Sequence, residues 1–242
     1  MKIINCGTYT INRFMLALPE GYVLIDTGYK WEYPAFCKAL EKNGIKKEEI
    51  KYVIITHAHA DHAGFLKEML EEISPVVIYN PLQKPRLEAG KNNCEVFVPG
   101  LMIQITSKIS AAMVDKMQCY PSLNTENFVS YEENPLAEFG IEFIPLNGHT
   151  EGDLAVKVGS DLFCGDVCMS SLKSTHHFPL WLEDKFALLR SWETILEQKE
   201  VATIYPGHGK PFDIKLLVKD LEYWRDKGVM PLNSRNKNQL KV

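Results

Sequence analysis

Apolar positions divide the chain into two similar halves, each made of strands and helices. Short runs rich in β-branched residues are typical of strands, whereas apolar positions three and four residues apart are typical of helices. The predicted strands of the first half cover 2–6, 10–18, 21–26, 51–55 and 76–79, and those of the second half cover 141–146, 154–158, 161–164 and 202–205. The predicted helices cover 33–44, 62–72, 184–198 and 213–227.

A segment at about 80–135 separates the two halves. Within it, five apolar residues recur at three- and four-residue intervals, which places them on one face of a predicted helix. These residues are Met102, Ile105, Ile109, Met113 and Met117. Such a face packs on the core or on a partner subunit, or it forms an apolar cap, because methionine side chains adapt to irregular ligands. The pattern leaves both interpretations open.

Composition and charge are those of an ordinary globular enzyme domain. Of the 242 residues, 45% are hydrophobic and 24% are charged, which predicts one domain over 1–242 with an insertion or cap at about 80–135. The net charge of −4 gives no broad basic field for nucleic acid. Six cysteines without a Cys-x-x-Cys pair indicate free thiols in a reducing compartment.

The apolar runs are all shorter than a signal peptide core or a membrane-spanning helix. We therefore expect a cytoplasmic protein without an integral membrane segment. Its expected partner is a small-molecule substrate rather than nucleic acid, and the composition leaves a homo-oligomer open.

The densest group of metal-ligand side chains directly follows the predicted strand at 51–55. The run His57-Ala58-His59-Ala60-Asp61-His62 holds four such residues within six positions. A strand end can direct several side chains at one point, because the sheet behind it holds them rigid. Imidazole nitrogens and a carboxylate suit zinc, and also iron, manganese or cobalt.

The second half repeats the arrangement of an apolar strand, a glycine-containing turn and one ligand-type residue. The residues presented in this way are His149, Asp166 and His208. A single histidine is more often structural than functional, but histidines scattered without a function would not recur in one setting. Together with the run at 57–62 they predict a metal site.

Together with Asp26-Thr27-Gly28, these motifs resemble those of the metallo-β-lactamase superfamily of metal-dependent hydrolases. They occur in the order typical of that family and span residues 26–209. The resemblance implies an α/β (α+β) fold, a four-layer αβ/βα sandwich with a binuclear metal site at one edge. The implied ligands are His57, His59 and His149 for the first ion, Asp61, His62 and His208 for the second, and Asp166 as the bridge.

The implied reaction is hydrolysis, in which a metal-bridging hydroxide attacks a small ester, thioester or lactone. Zinc is the preferred metal for the two divalent ions, with manganese or iron as alternatives. Asp61 is the candidate catalytic residue, because it can bind the second ion and also accept a hydrogen bond from the nucleophile. Two alternatives stay open: a phosphodiesterase acting on nucleotides, RNA or a phospholipid head group, and a mononuclear iron redox enzyme of the same fold.

Several other residues have two interpretations each. Asp26 is either an orienting partner of a ligand imidazole or a turn residue before Gly28. His176 and His177 are either solvated loop residues or donors at the metal rim. Lys84-Pro85-Arg86 is too short for a basic patch, although it could contact a phosphate.

Overall fold

A computed structural model of the chain describes residues 1–92 and 117–227. In these residues the first half forms a mixed sheet whose strand order follows the sequence. The strands are β1 (Ile3–Asn5), β2 (Phe14–Leu18), β3 (Gly21–Ile25), β4 (Ile50–Ile54), β5 (Val76–Tyr79) and β6 (Val129–Ser130). The first three are antiparallel neighbours, and β3 to β6 run parallel.

The second half forms a second mixed sheet in the order β11-β10-β9-β8-β7. Its strands are β7 (Ile141–Leu146), β8 (Asp153–Val158), β9 (Asp161–Gly165), β10 (Thr203–Pro206) and β11 (Phe212–Asp213). The strands β9 and β10 are parallel, so the loops that follow them leave the same edge of the sheet.

The two sheets pack face to face. Alternate residues of a strand face opposite sides of its sheet, and in β3 the side chains of Val23 and Ile25 contact the second sheet while Leu24 faces the helices. Phe14 meets Phe163 across the sandwich with ring centroids 5.0 Å apart.

Helices cover the outer faces of both sheets. The helices are α1 (Tyr33–Lys42), α2 (Ala60–Ala63), α3 (Leu66–Glu72), α4 (Lys84–Ala89), α5 (Lys185–Leu196) and α6 (Ile214–Asp226). Short 3-10 helices cover Lys30–Glu32, Lys47–Glu49, Pro81–Gln83, Tyr131–Glu133, Ala137–Phe139 and Lys173–Thr175. The helices α1 and α3 pack on the first sheet, and α5 and α6 on the second. The predicted four-layer αβ/βα sandwich is confirmed.

Two predicted elements differ from the structure near the site. The strand predicted at 10–18 begins only at Phe14, because Asn12 turns toward the second half, where its backbone N–H donates to the Gly207 carbonyl (2.8 Å). The helix predicted at 62–72 is divided into α2 and α3 around Gly64 and Phe65. The backbone N–H of Phe65 donates instead to the Gly28 carbonyl at 3.0 Å.

The segment at about 80–135 contributes α4 and β6 to the described part of the chain, and neither element was predicted. The predicted methionine-lined helical face lies outside the described residues except for half-buried Met117. Among the helices of residues 1–92 and 117–227, none is long and apolar enough to cross a bilayer.

Candidate metal centre

The candidate residues leave the strand ends at one edge of the sandwich. His57 follows β4 of the first sheet, whereas Asp166 and His208 follow β9 and β10 of the second. The two sheets approach closely there. A Cβ atom added at Gly165 would lie only 2.5 Å from the Thr56 hydroxyl oxygen. This position admits only glycine without displacement of the first sheet.

Three buried imidazoles form the first cluster. The Nε2 atom of His149 lies 3.1 Å from Nε2 of His57 and 3.0 Å from Nδ1 of His59. All three side chains are buried, and their inward nitrogens converge closely enough to share one ion. The structure therefore brings these three residues together, although His57 and His149 lie 92 positions apart.

Two carboxylates and two imidazoles form the second cluster, with Asp61, His62, Asp166 and His208 as its members. The Nε2 atom of His208 lies 3.1 Å from Oδ2 of Asp61 and 3.2 Å from Oδ2 of Asp166. The same Asp166 oxygen lies 3.7 Å from Nε2 of His149. Asp166 is therefore placed between the two clusters.

Hydrogen bonds on the far side of the rings orient the imidazoles. The Nδ1 atom of His149 donates to the Trp181 carbonyl (2.7 Å), and that of His208 donates to the Thr10 carbonyl (2.6 Å). In a neutral ring this leaves the Nε2 lone pair facing the site. The sequence did not indicate either carbonyl partner, since backbone acceptors carry no side-chain signal.

Asp26 is both a turn residue and an orienting residue. Its backbone has a φ of 60°, which is the left-handed region. Its Oδ2 atom accepts from Nδ1 of His62 at 2.9 Å and from the Thr56 hydroxyl at 2.8 Å. The Thr56 oxygen also lies 3.1 Å from Nδ1 of His57. The Asp26 carboxylate therefore contacts the His62 imidazole of the second cluster directly. It reaches the His57 imidazole of the first cluster through the Thr56 hydroxyl.

The protonation of the two clusters differs in the metal-free chain. Burial, followed by the neighbouring imidazoles, holds the pKa values of His57 and His59 well below the ordinary value, and burial also lowers that of His149. These rings are neutral and can act as ligands. Burial alone would lower the pKa of His62, but Asp166, Asp26 and Asp61 raise it to about 10.

The donor atoms fit divalent cations. The Nε2 atom of His62 and the Oδ1 atom of Asp166 are buried and lie 3.4 Å apart, and neither has a hydrogen-bond partner in the described part of the chain. Orphaned buried polar atoms are costly in a folded protein. A cation at the second cluster would pair both atoms, and the imidazole and carboxylate donors of the two clusters are those that zinc and iron accept.

Sequence reasoning missed the residue that shapes the His149 turn. The carboxylate of Asp153 accepts from the backbone N–H groups of His149 and Thr150 at 3.0 Å each, and from the Thr150 hydroxyl at 2.6 Å. Burial raises the pKa of Asp153 to about 7. The signal available was the spacing of Thr150 and Asp153, because Asp side chains bind nearby backbone N–H groups in turns.

Other candidate residues lie outside both clusters. His176 and His177 direct their Nδ1 atoms at the Asp220 carboxylate of α6, so neither is a purely solvated loop residue or a member of a metal cluster. Arg86 forms a two-oxygen ion pair with Glu183 at 2.8 and 2.9 Å, which leaves it engaged within the protein rather than available as a phosphate contact.

Known proteins resemble the chain over most of its length. Residues 7–208 match the family model of the metallo-β-lactamase superfamily. A probable metallo-hydrolase of Methanocaldococcus jannaschii is 26% identical over 213 residues, which are 86% of this chain and 91% of that protein.

Solved structures share the fold. A metallo-β-lactamase of Cronobacter sakazakii with a HARLDQ motif has a TM-score of 0.64 at 15% identity, over 93% of this chain and 89% of that one. The protein TTHA1623, solved in a di-iron-bound form, has a TM-score of 0.60 at 22% identity, over 89% and 96% of the two chains.

Proposed function

Because the chain belongs to the metallo-β-lactamase superfamily and is a metal-dependent hydrolase, we propose that two divalent ions occupy its two clusters. The first ion would be held by His57, His59 and His149, the second by Asp61, His62 and His208, and Asp166 would be shared. The observation that carries this proposal is the position of Asp166 Oδ2, which lies 3.2 Å from Nε2 of His208 in the second cluster and 3.7 Å from Nε2 of His149 in the first.

Zinc is the metal that we propose first. A catalytic zinc commonly takes about three protein ligands from His, Asp and Glu, which each cluster offers. Iron and manganese stay as alternatives, because the same donors accept them and TTHA1623 carries iron. A single iron would leave one of the two clusters unused, so the paired arrangement favours a binuclear hydrolase over a mononuclear redox enzyme.

The ions would supply Lewis acidity, which acidifies water and polarises the oxygen of a bound substrate. The protein side chains perform the remaining roles. Asp61 has its Oδ2 atom 3.1 Å from His208, so it can face the second ion through one oxygen and accept a hydrogen bond from a nucleophilic water through the other. The buried rings of the first cluster exclude bulk water from that side.

We propose a small ester, thioester or lactone as the substrate. The net charge is −4. The two cations of Lys84-Pro85-Arg86, which could contact a phosphate, both have acidic partners, since Arg86 contacts Glu183 and Lys84 lies 3.6 Å from Glu88. Phosphodiesters carry a charge that enzymes usually neutralise with Arg or Lys as well as metal. The carbonyl group of an ester, thioester or lactone is uncharged, so its binding needs no additional Arg or Lys.

Metal analysis and activity measurements test the proposal together. Protein loaded with zinc or manganese should bind two ions per chain, and His208→Ala should bind fewer, whereas the control His176→Ala should keep both. Activity should be higher on lactone and thioester panels than on bis-phosphodiesters. One ion per chain after saturation would contradict the binuclear site, and activity confined to phosphodiesters would contradict the carbonyl substrate.

A further inference from the structure

We propose that Gln83 is a positioning residue that joins the two loops carrying the ligands of the first ion. The inference rests on the proposed function, because it concerns how the first cluster is held together. Gln83 ends the 3-10 helix Pro81–Gln83, and its side chain is fully buried. It is neither a ligand-type residue nor part of a sequence motif that was assigned a role.

The amide of Gln83 contacts both loops. Its Oε1 atom accepts from the backbone N–H of Ala58 at 3.1 Å, and Ala58 stands between His57 and His59. Its Nε2 atom donates to the Thr150 hydroxyl at 2.6 Å and to the Glu151 carbonyl at 2.8 Å. One side chain therefore spans the loop with two imidazoles and the loop that supplies the third.

The partners fix the orientation of this amide. The backbone N–H of Ala58 can only donate and the carbonyl of Glu151 can only accept, so the Oε1 atom must face the first loop and Nε2 the second. The chain of hydrogen bonds continues, because the Thr150 hydroxyl donates to Asp153 at 2.6 Å. Asp153 in turn accepts from the backbone N–H of His149 at 3.0 Å.

Two other side chains also bind the backbone of the first loop, which covers residues 57–62. Asn92 accepts from the backbone N–H of Ala60 at 2.9 Å, and the hydroxyl of Tyr120 donates to the Ala58 carbonyl at 2.8 Å. The side chains of Gln83, Asn92 and Tyr120 therefore all bind the backbone of this loop. Gln83 differs from the other two because it also binds Thr150 and Glu151.

The consequence is specific to one ion. The first cluster needs both loops, whereas the second cluster draws on Asp61, His62, Asp166 and His208 and not on His149. Loss of partners that orient metal ligands typically weakens metal binding about 10–100-fold. Removal of the Gln83 amide should therefore lower the affinity for the first ion by about 10–100-fold and the affinity for the second ion by much less.

Two variants with a matched control test this role. Gln83→Met keeps the length of the side chain and removes all three hydrogen bonds, whereas Gln83→Glu keeps an acceptor for Ala58 and loses both donations. Thr125→Val is the control, since Thr125 is buried, its hydroxyl donates to Glu88 of α4 at 2.8 Å, and its side chain is bonded to Glu88 rather than to either loop. Competition with a chelator measures the two zinc affinities, and cobalt absorption reports the ligand geometry.

The same titrations in a His208→Ala background identify the first ion, because only the first cluster is then complete. We expect both Gln83 variants to weaken that ion at least about tenfold, to change its cobalt spectrum, and to leave the control unchanged. Equal weakening of both ions, or unchanged first-ion affinity in a folded Gln83→Glu protein, would overturn the role of Gln83. A wild-type chain that binds a single ion would instead overturn the proposed function.

Discussion

At the scale of single residues, the site depends on which nitrogen of each ring faces inward. His57 and His149 present Nε2, whereas His59 presents Nδ1 at 3.0 Å from His149. The spacing of histidines in the sequence could not reveal this difference, because it depends on the backbone path from His57 to His62. The bonds on the far side of the rings therefore help to decide which nitrogen faces the site.

Asp61→Asn tests the proposed catalytic role of this carboxylate. The substitution preserves shape but removes the charge that faces the second ion and accepts the hydrogen bond of water. We expect kcat to fall by about 10²-fold or more with a smaller change in KM. Asp213→Asn is the control, because the side chain of Asp213 caps α6 and Asn caps helices equally well. Turnover close to wild type in metal-loaded Asp61→Asn would contradict the assigned role.

The raised pKa of His62 predicts how the metal-free protein responds to pH. The pKa of His62 is raised to about 10 in the folded state. Its protonated ring therefore stabilises the folded state fully at pH values below the ordinary histidine pKa, and this contribution is lost as the pH rises through about 10. The metal-free protein should therefore lose stability between about pH 7 and 10. The zinc-loaded protein should not show that loss, because metal binding requires the deprotonated ring.

Asp26→Asn separates this effect from general alkaline unfolding. Asp26 is one of the carboxylates that raise the pKa of His62, so the neutral variant should lose less stability over the same interval. The measurement is the Tm of each protein in chelator at several pH values. Identical pH slopes in wild type and variant would show that the Asp26–His62 contact does not control the titration.

At the scale of elements, the break between α2 and α3 brings the histidine loop against the loop of Asp26. A Cβ atom at Gly64 would lie 2.2 Å from the Ala60 carbonyl oxygen and 2.6 Å from that of Gly28. The backbone N–H of Thr27 donates to the His62 carbonyl at 2.7 Å in the same region. A continuous helix would remove this close approach.

Gly64→Ala should destabilise the protein by about 1–3 kcal/mol, because the added methyl group overpacks a site lined by backbone. The variant should also bind the second ion less tightly, since His62 lies on the displaced helix. Gly44→Asn is the control, because Gly44 has a φ of +68° with open space around its Cβ position and Asn adopts that conformation. Urea unfolding compares them, and equal stability of Gly64→Ala and wild type would show that the break is not a packing requirement.

The elements that the sequence predicted well are those with a strong local pattern. The β-branched run at 51–55 forms β4 within one residue, and the predicted helix at 213–227 forms α6 within one residue at each end. The sequence indicated the ligand-type residues because four of them fall within the six positions 57–62. Asn12 and Gln83 were missed, because a neutral amide becomes informative only when its distant partners at Gly207 and Thr150 are known.

At the scale of the whole molecule, each proposed ion connects the two sheets. The first cluster combines His57 and His59, which follow β4, with His149, which follows β7. The second combines Asp61 and His62 with residues that follow β9 and β10. Neither cluster is complete until the sandwich has formed.

This division of ligands has a kinetic consequence. An interaction that is absent from the transition state slows unfolding and leaves the rate of folding unchanged. Because the ligands lie on both sheets and span positions 57 to 208, docking of the sheets must precede binding of either ion. Zinc should therefore slow unfolding by about tenfold or more and change the folding rate by less than about twofold. Stopped-flow denaturant jumps with and without zinc measure both rates, and a zinc-accelerated folding limb would indicate that the site assembles before the sandwich.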